Sequence, residues 1–394
     1  MSDQGTMGSG ITEVCARAGY RVVFREITDD AVEAGMARIK QSMERGVDKG
    51  KLAADDRDAA LGRISGTTSY DDLKTCDVVI EAVPEKLEMK QDLFRSLDAL
   101  LPPHAILATN TSSLPVIEMA VQTGRPSRVI GLHFFNPAPV MGLVELVKTV
   151  VTDPDALEAA SAFARALGKT PVVCQDRAGF IANLLLFPYL NNAVKMLESG
   201  FATRADIDAA MVFGCGHPMG RLALLDLIGL DSAFEILDAM YRQFRETVYA
   251  PAPLIRQLMT ADFLGRKTAR GFYSYEEAGS PRVRETGHHG RELPAGAGSH
   301  VRRIGVLGSG TMANGIAEVA AKAGYQVVLR ARSTQRASES QAKIAKSLGK
   351  AVERGKMTQE QLDATLALLE TTTEMDALSS CDLLVEGIAE ELDL

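Results

Sequence analysis

The sequence predicts a doubly wound α/β unit, then an all-α unit, then part of a second α/β unit. Residues 5 to about 150 alternate short β-branched runs with helical stretches, the alternation that builds a parallel sheet with helices on both faces. From about 178 these runs give way to long apolar-periodic stretches of helical character. The first pattern then returns. Gly5-Thr6-Met7-Gly8-Ser9-Gly10-Ile11 recurs as Gly310-Thr311-Met312-Ala313-Asn314-Gly315-Ile316. The same spacing lays Ala18-Gly19-Tyr20 on Ala323-Gly324-Tyr325, and Cys76-Asp77 on Cys381-Asp382. A gapless match over such a span is one unit written twice.

Taken in order, strands are expected at Val22–Phe24, Asp77–Glu81, Ala105–Ala108, Arg128–Leu132 and Leu143–Val147, with helices at Glu13–Ala18 and Ala31–Arg45. Ile181–Leu197, Ile207–Phe213 and Ser232–Tyr249 read as the helices of the second unit. The domains expected are 1–177 (α/β), 178–276 (helical), 277–300 (a linker rich in Gly, Pro, Arg and His) and 301–394 (partial α/β). Copy two has a strand, Arg303–Leu307, before its glycines, whereas copy one has only Met1-Ser2-Asp3-Gln4. The central first strand of copy one therefore reads as missing, which leaves unpaired backbone edges. Copy two runs only to the counterpart of Met89, so both ends of the repeat read as cut. One rescue is conceivable: Ile304–Leu307 fills the slot in copy one.

With 394 residues and 46% apolar side chains, the chain can bury two or three cores. A net charge of −8 disfavours a duplex nucleic-acid surface or an anionic membrane. No apolar run approaches the ~20 residues that span a bilayer, and no secretory leader is evident. Five scattered cysteines suit reduced thiols better than a disulfide framework or a zinc site. The expectation is a cytoplasmic protein with small-molecule partners.

In copy two, strand, Gly308-x-Gly310-x-x-Ala313, helix and second strand follow in order. This is the dinucleotide-binding arrangement of a Rossmann-like unit: glycines let the backbone turn onto a pyrophosphate seated at a helix N-terminus. In copy one, Gly5 and Gly8 hold the equivalent of its last two loop positions. Glu26, after the second strand, favours NAD, because a carboxylate repels a 2′-phosphate. Copy two has Ala331 there, between Arg330 and Arg332, and so either takes NADP or has lost its cofactor. Asp3 falls where copy one needs its first glycine, an electrostatic mismatch with a pyrophosphate.

Of six histidines, only His133 directly follows a strand, and Glu145 lies twelve residues on, in Leu143–Val147. A carboxylate behind an imidazole fixes its tautomer and raises its basicity, the pairing that removes a proton from an alcohol. A core histidine and an edge glutamate would share this spacing. His217 reads as a turn residue, and His288, His289 and His300 as linker. No spacing supports a metal site.

Several motifs in order resemble the 3-hydroxyacyl-CoA dehydrogenases over residues 5 to about 276. They are Asn110-Thr111-Ser112-Ser113, His133-Phe134-Phe135-Asn136-Pro137 with Val144-Glu145, Gly179-Phe180-Ile181-Ala182-Asn183, Gly216-His217-Pro218-Met219-Gly220 and Gly271-Phe272-Tyr273. The resemblance implies NAD-dependent oxidation of a short-chain (S)-3-hydroxyacyl-CoA, such as 3-hydroxybutyryl-CoA, to the 3-ketoacyl-CoA. His133 is then the general base, Glu145 its orienter, and Ser112 and Asn183 the polar contacts of the reacting oxygen region. Asn136 helps hold the site. Glu85, Lys90 and Asn110 are implied near the nicotinamide half of the cofactor, and Ser42 and Lys49 near CoA. A homodimer through the helical domain is also implied. The chain departs from the family pattern at Leu184, Arg221 and Ala269. Two other readings stay open: an oxidoreductase of free hydroxy acids or sugar acids, and a non-catalytic nucleotide-binding fragment.

Overall fold

A computed structural model describes residues 4–284 and 300–388. The chain divides into two compact units, Met1–Gly290 and Arg291–Leu394. In the first, α1 (Gln4–Arg17) is followed by β1 (Val22–Arg25), α2 (Asp29–Asp48), α3 (Ala54–Leu61), β2 (Ile64–Thr67), β3 (Val78–Glu81) and α4 (Leu87–Leu100). Next come β4 (Ile106–Thr109), α5 (Val116–Ala120), β5 (Val129–Phe134), β6 (Leu143–Lys148), α6 (Pro154–Ala166) and β7 (Thr170–Gln175). The helical part holds α7 (Ala182–Glu198), α8 (Arg204–Ala209), α9 (Arg221–Ile228), α10 (Leu230–Phe244) and α11 (Pro253–Thr260). The second unit contains β8 (Arg303–Leu307), α12 (Thr311–Lys322), β9 (Gln326–Arg330), α13 (Thr334–Glu353), α14 (Gln359–Ala367), β10 (Leu369–Thr372) and β11 (Leu383–Glu386).

β3, β4 and β5 run parallel, β6 turns antiparallel to β5, and β7 runs with β6. The period of two along the strands sorts side chains to opposite faces. Ile130, Leu132, Phe134, Val144 and Leu146 pack on α1 and α6 in one core. Val129 and Val147 pack with Leu107 against α4 and α5 in another. Gly131 is required between them, because a Cβ there would lie 2.6 Å from that of Val147. The helical part has its own core, including Phe187, Leu222, Leu237 and Tyr275. Buried Asp226 accepts from the backbone N–H groups of Phe272 and Tyr273 and from the Tyr275 hydroxyl, all at 2.8 Å. Gly271 is glycine because a Cβ would collide with this carboxylate.

The structure departs from the sequence reading in several places. Helix Ile207–Phe213 becomes α8 followed by a π-helical turn, Ala210–Gly214. α10 stops at Phe244, where Arg245 turns left-handed (φ 57°), so it falls short of Tyr249. The expected linker begins later: Tyr275 bridges Val283, and Arg284 N–H donates to Ser274 O, holding this stretch on the helical part. The rest of that linker (285–299), with His288 and His289, lies outside the described residues, as does Asp3.

The sheet of copy one is in two pieces. β1 pairs only with β2, and among the described residues no strand lies between β1 and β3. Copy two shows what that line holds: β8 pairs with β9 on one side and β11 on the other, in the order β10-β9-β8-β11. β8 therefore stays in its own copy's sheet, which rules out the rescue in which it crosses to copy one. Copy two has a core of its own, built from Val306, Ala317, Leu329, Ile344 and Leu348.

The repeat also explains Ala313. Copy one pairs Gly8 with Ala82, and a Cβ on Gly8 would meet the Ala82 methyl at 4.0 Å. Copy two pairs Ala313 with Gly387, and a Cβ on Gly387 would lie 3.3 Å from the Ala313 methyl. The methyl has changed sides while the close contact is kept. Gly387→Ala should therefore destabilise the second unit by roughly 1–2 kcal/mol, and Ala313→Gly in the same chain should recover most of it. Urea unfolding of the four chains of this cycle measures the coupling; simple additivity would refute the exchange.

Candidate active site

β5 and β6 are antiparallel with His133 directly opposite Glu145. Both residues share the strand phase of Val129 and Val147, so both face the side where α7 begins. His133 is the fifth residue of β5, inside the strand rather than just after it as the sequence suggested. Its Nδ1 lies 2.7 Å from Glu145 Oε2, and the two side chains are only 5% and 1% exposed. Phe135 and Phe180 pack on the imidazole with ring centroids 4.6 and 5.4 Å away.

The second oxygen of Glu145 is also engaged. Oε1 accepts from Ile181 N–H at 3.1 Å and Ala182 N–H at 2.8 Å, at the start of α7. A carboxylate satisfies donors left free in a helix's first turn and complements its dipole. The chain reaches this position through two consecutive left-handed residues, Gly179 (φ 81°) and Phe180 (φ 48°). A β-carbon on Gly179 would press on Met240 Sδ at 2.7 Å. Burial pushes the Glu145 carboxyl up, but the His133 and α7 backbone hydrogen bonds outweigh it and hold the group below its usual range.

A second buried network lies at the ends of β3 and β4. Lys90, 1% exposed, places its ammonium 3.0 Å from Glu81 Oε1 and 2.9 Å from Glu85 Oε2. Glu81 also accepts from Val83 N–H and the Thr109 hydroxyl. Glu85 Oε1 accepts from Ser112 N–H at 3.0 Å, Ser113 N–H at 3.2 Å and the Thr111 hydroxyl. Burial alone would raise the Glu85 carboxyl; Lys90, Thr111 and Ser112 together lower it. Lys90 thus lies enclosed rather than open to a ligand, and holds Glu85 so that Glu85 can shape the 111–113 turn. Asn110 Oδ1 accepts from Phe134 N–H at 2.8 Å, fixing that turn to β5 beside His133.

The other sequence candidates are spread out. Half-buried Ser112 sits in the braced turn, and buried Asn183 in the first turn of α7. Asn136 is exposed on the loop after β5. Glu26 ends the β1 segment, half-buried, its N–H donating to Thr67 O. Ser42 and exposed Lys49 lie on α2 and its C-cap, and among the described residues no hydrogen bond or ion pair ties them to the His133 cluster. Gly5 and Gly8 are inside α1, which starts at Gln4, whereas α12 starts at Thr311 with Gly310 as its cap.

The sequence reading missed Thr111, Glu81 and Arg38. A β-carbon on Gly5 would lie 2.6 Å from the Arg38 guanidinium, and Arg38 Nε lies 3.4 Å from the Ser9 hydroxyl. Glu81 could have been suspected as an acid at the end of an apolar strand. A lone arginine on a helix face gives no such signal.

Residues 3–177 and 303–394 match the family model for the 3-hydroxyacyl-CoA dehydrogenase NAD binding domain, and residues 179–275 match that for the C-terminal domain. A 3-hydroxybutyryl-CoA dehydrogenase of Mycobacterium tuberculosis is 49% identical over 273 residues, 69% of this chain and 96% of that protein. The crystal structure of an (S)-3-hydroxybutyryl-CoA dehydrogenase from Ralstonia eutropha matches 70% of this chain and 97% of its own at 43% identity, with a TM-score of 0.67. A 3-hydroxybutyryl-CoA dehydrogenase structure from Escherichia coli covers 93% of this chain and 87% of its own, at 29% identity and the same TM-score of 0.67.

The lowered Glu145 carboxyl sets a pH test. Its contribution to stability is complete above the unfolded value, ~4.3, and is lost as pH falls through the lower folded value. Glu145→Gln should cost about 1–3 kcal/mol at neutral pH and flatten the acid limb of stability against pH. Urea unfolding from pH 3 to 7 measures both; parallel acid limbs would show that the carboxylate is not held as described.

Proposed function

We propose, for a chain that belongs to the 3-hydroxyacyl-CoA dehydrogenase family, that its NAD-dependent reaction is oxidation of a short-chain (S)-3-hydroxyacyl-CoA with His133 as base. The His133–Glu145 contact carries this reading. With Nδ1–H donated to the carboxylate, the neutral ring keeps its lone pair on Nε2. Nε2 takes the proton of the 3-hydroxyl as C3 loses hydride, and the imidazolium formed sits against Glu145. NAD, when bound, supplies the hydride acceptor. Ser112 and Asn183 supply polar contacts to the oxygen as it becomes a carbonyl. The Glu26 carboxylate, which has no hydrogen-bond partner among the described residues, suits a ribose diol, and Asn110 keeps the nicotinamide end of the site in register with β5. Ser42 and Lys49 are assigned to the CoA portion.

A homodimer is part of this proposal. Ile181, Leu185 and Tyr189 form an exposed stripe at helical spacing, and Phe213 is 85% exposed. Leu185→Asp should then shift the chain to monomer in analytical ultracentrifugation.

The direct test is NADH oxidation with acetoacetyl-CoA. His133→Ala should lower kcat roughly 10²- to 10⁴-fold while NADH affinity is kept. The same assay on a chain with a copy of Val301–Gly308 placed ahead of Gln4 asks whether a strand between β1 and β3 raises turnover. Silence from both chains, with turnover of free hydroxy acids, would overturn the thioester assignment.

A further inference from the structure

We propose that the second unit holds the 2′-phosphorylated adenosine half of a dinucleotide, NADP rather than NAD, at the turn between β9 and α13. Three observations lead there. The first is that the dinucleotide loop is intact. Gly308 is left-handed (φ 119°), and a side chain on it would collide with the Gly387 carbonyl. Gly310 caps α12 in an extended conformation with open space where its Cβ would be. Ala313 keeps the helix–strand contact through its exchange with Gly387, so it is no mark of decay.

The second is a half-used polar group in the first turn of α12, directly after that loop. Asn314, 8% exposed, reaches Ser309 O through Nδ2 at 3.3 Å, while its own Oδ1 is buried with no hydrogen-bond partner among the described residues. A buried amide half-used beside a glycine turn suits a hydroxyl or amine donor from a ligand.

The third is an inversion of charge on an unchanged scaffold. In copy one, Thr28 caps α2 by accepting from Ala31 N–H; in copy two, Ser333 caps α13 by accepting from Arg336 N–H. Arg25 and Arg330 each bind a backbone carbonyl after the neighbouring strand, Thr68 O and Thr373 O, so this arginine braces both copies and discriminates nothing. Everything else at the turn has changed. Glu26-Ile27-Thr28-Asp29-Asp30-Ala31 carries three carboxylates, whereas Ala331-Arg332-Ser333-Thr334-Gln335-Arg336 carries none and has two guanidiniums. Arg332 and Arg336 are both exposed. Loss of cofactor would relax the glycines and scatter the charges. Here the turn is kept and its sign reversed at the position where an acid reads a ribose diol and a cation reads a 2′-phosphate.

The test is calorimetric titration of the full chain with 2′,5′-ADP and with 5′-ADP. The expected result is tighter binding of 2′,5′-ADP, weakened by salt. Ala331→Glu with Arg332→Ile, which writes the copy-one residues onto the copy-two scaffold, should cut 2′,5′-ADP affinity roughly ten- to a hundredfold. Circular dichroism melting checks that this variant folds, and Arg336→Gln alone gives a second, smaller reading. Equal affinity for the two nucleotides, or an unchanged 2′,5′-ADP affinity in both variants, would overturn the proposal. The acetoacetyl-CoA assay with NADH reads residues 4–284 separately, so either result can fail without the other.

Discussion

Glu145 must satisfy three donors with two oxygens, and much of the first unit is arranged around that requirement. One oxygen takes the imidazole across the strand pair, and the other takes the first N–H groups of α7. A buried carboxylate with any of these removed would be a cost of several kcal/mol, so the strand pair, the Gly179–Phe180 turn and α7 have to be placed together. The residue that holds the His133 imidazole is also the residue that fastens the helical part to the sheet. The setting of the imidazole and the docking of the helical part share one charge.

This explains which parts of the site could be read from the sequence. The motif around His133 and the strand-like run around Glu145 were legible, because each is a local pattern. Their pairing was not, since twelve residues of separation fits several arrangements; only the antiparallel turn of β6 in an otherwise parallel neighbourhood puts the two opposite each other. The start of α7 was legible from its apolar period, but its role as a donor to Glu145 depends on a left-handed Phe180, which no propensity favours. Lys90 marks another limit of the sequence. A lysine in an amphipathic helix looks available, and only the folded arrangement of Glu81 and Glu85 shows it enclosed.

The repeat acts as an internal reference for the fold. Copy two demonstrates which strand belongs between the β1 and β3 positions, and why a glycine pattern alone misleads. Counting glycines marks Ala313 as a defect; the backbone shows the same contact made from the other side, at Gly387. The charge reversal at the β9–α13 turn stands out only because the caps and the braced arginine around it are the same in both copies.

The division of the copy-one sheet has a mechanical consequence. Hydrogen bonds between neighbouring strands make a sheet stiff within its plane, and that stiffness ends at an unbonded line. Glu26 rides on the two-stranded piece, while His133 and Glu145 ride on the five-stranded one. The two pieces are joined through helices and loops, which bend more easily than a ladder of strands. Among the described residues the Glu26 end and the His133 end are therefore coupled through α1 to α3 rather than through a ladder of strands, and small changes in those helices alter the separation of the two.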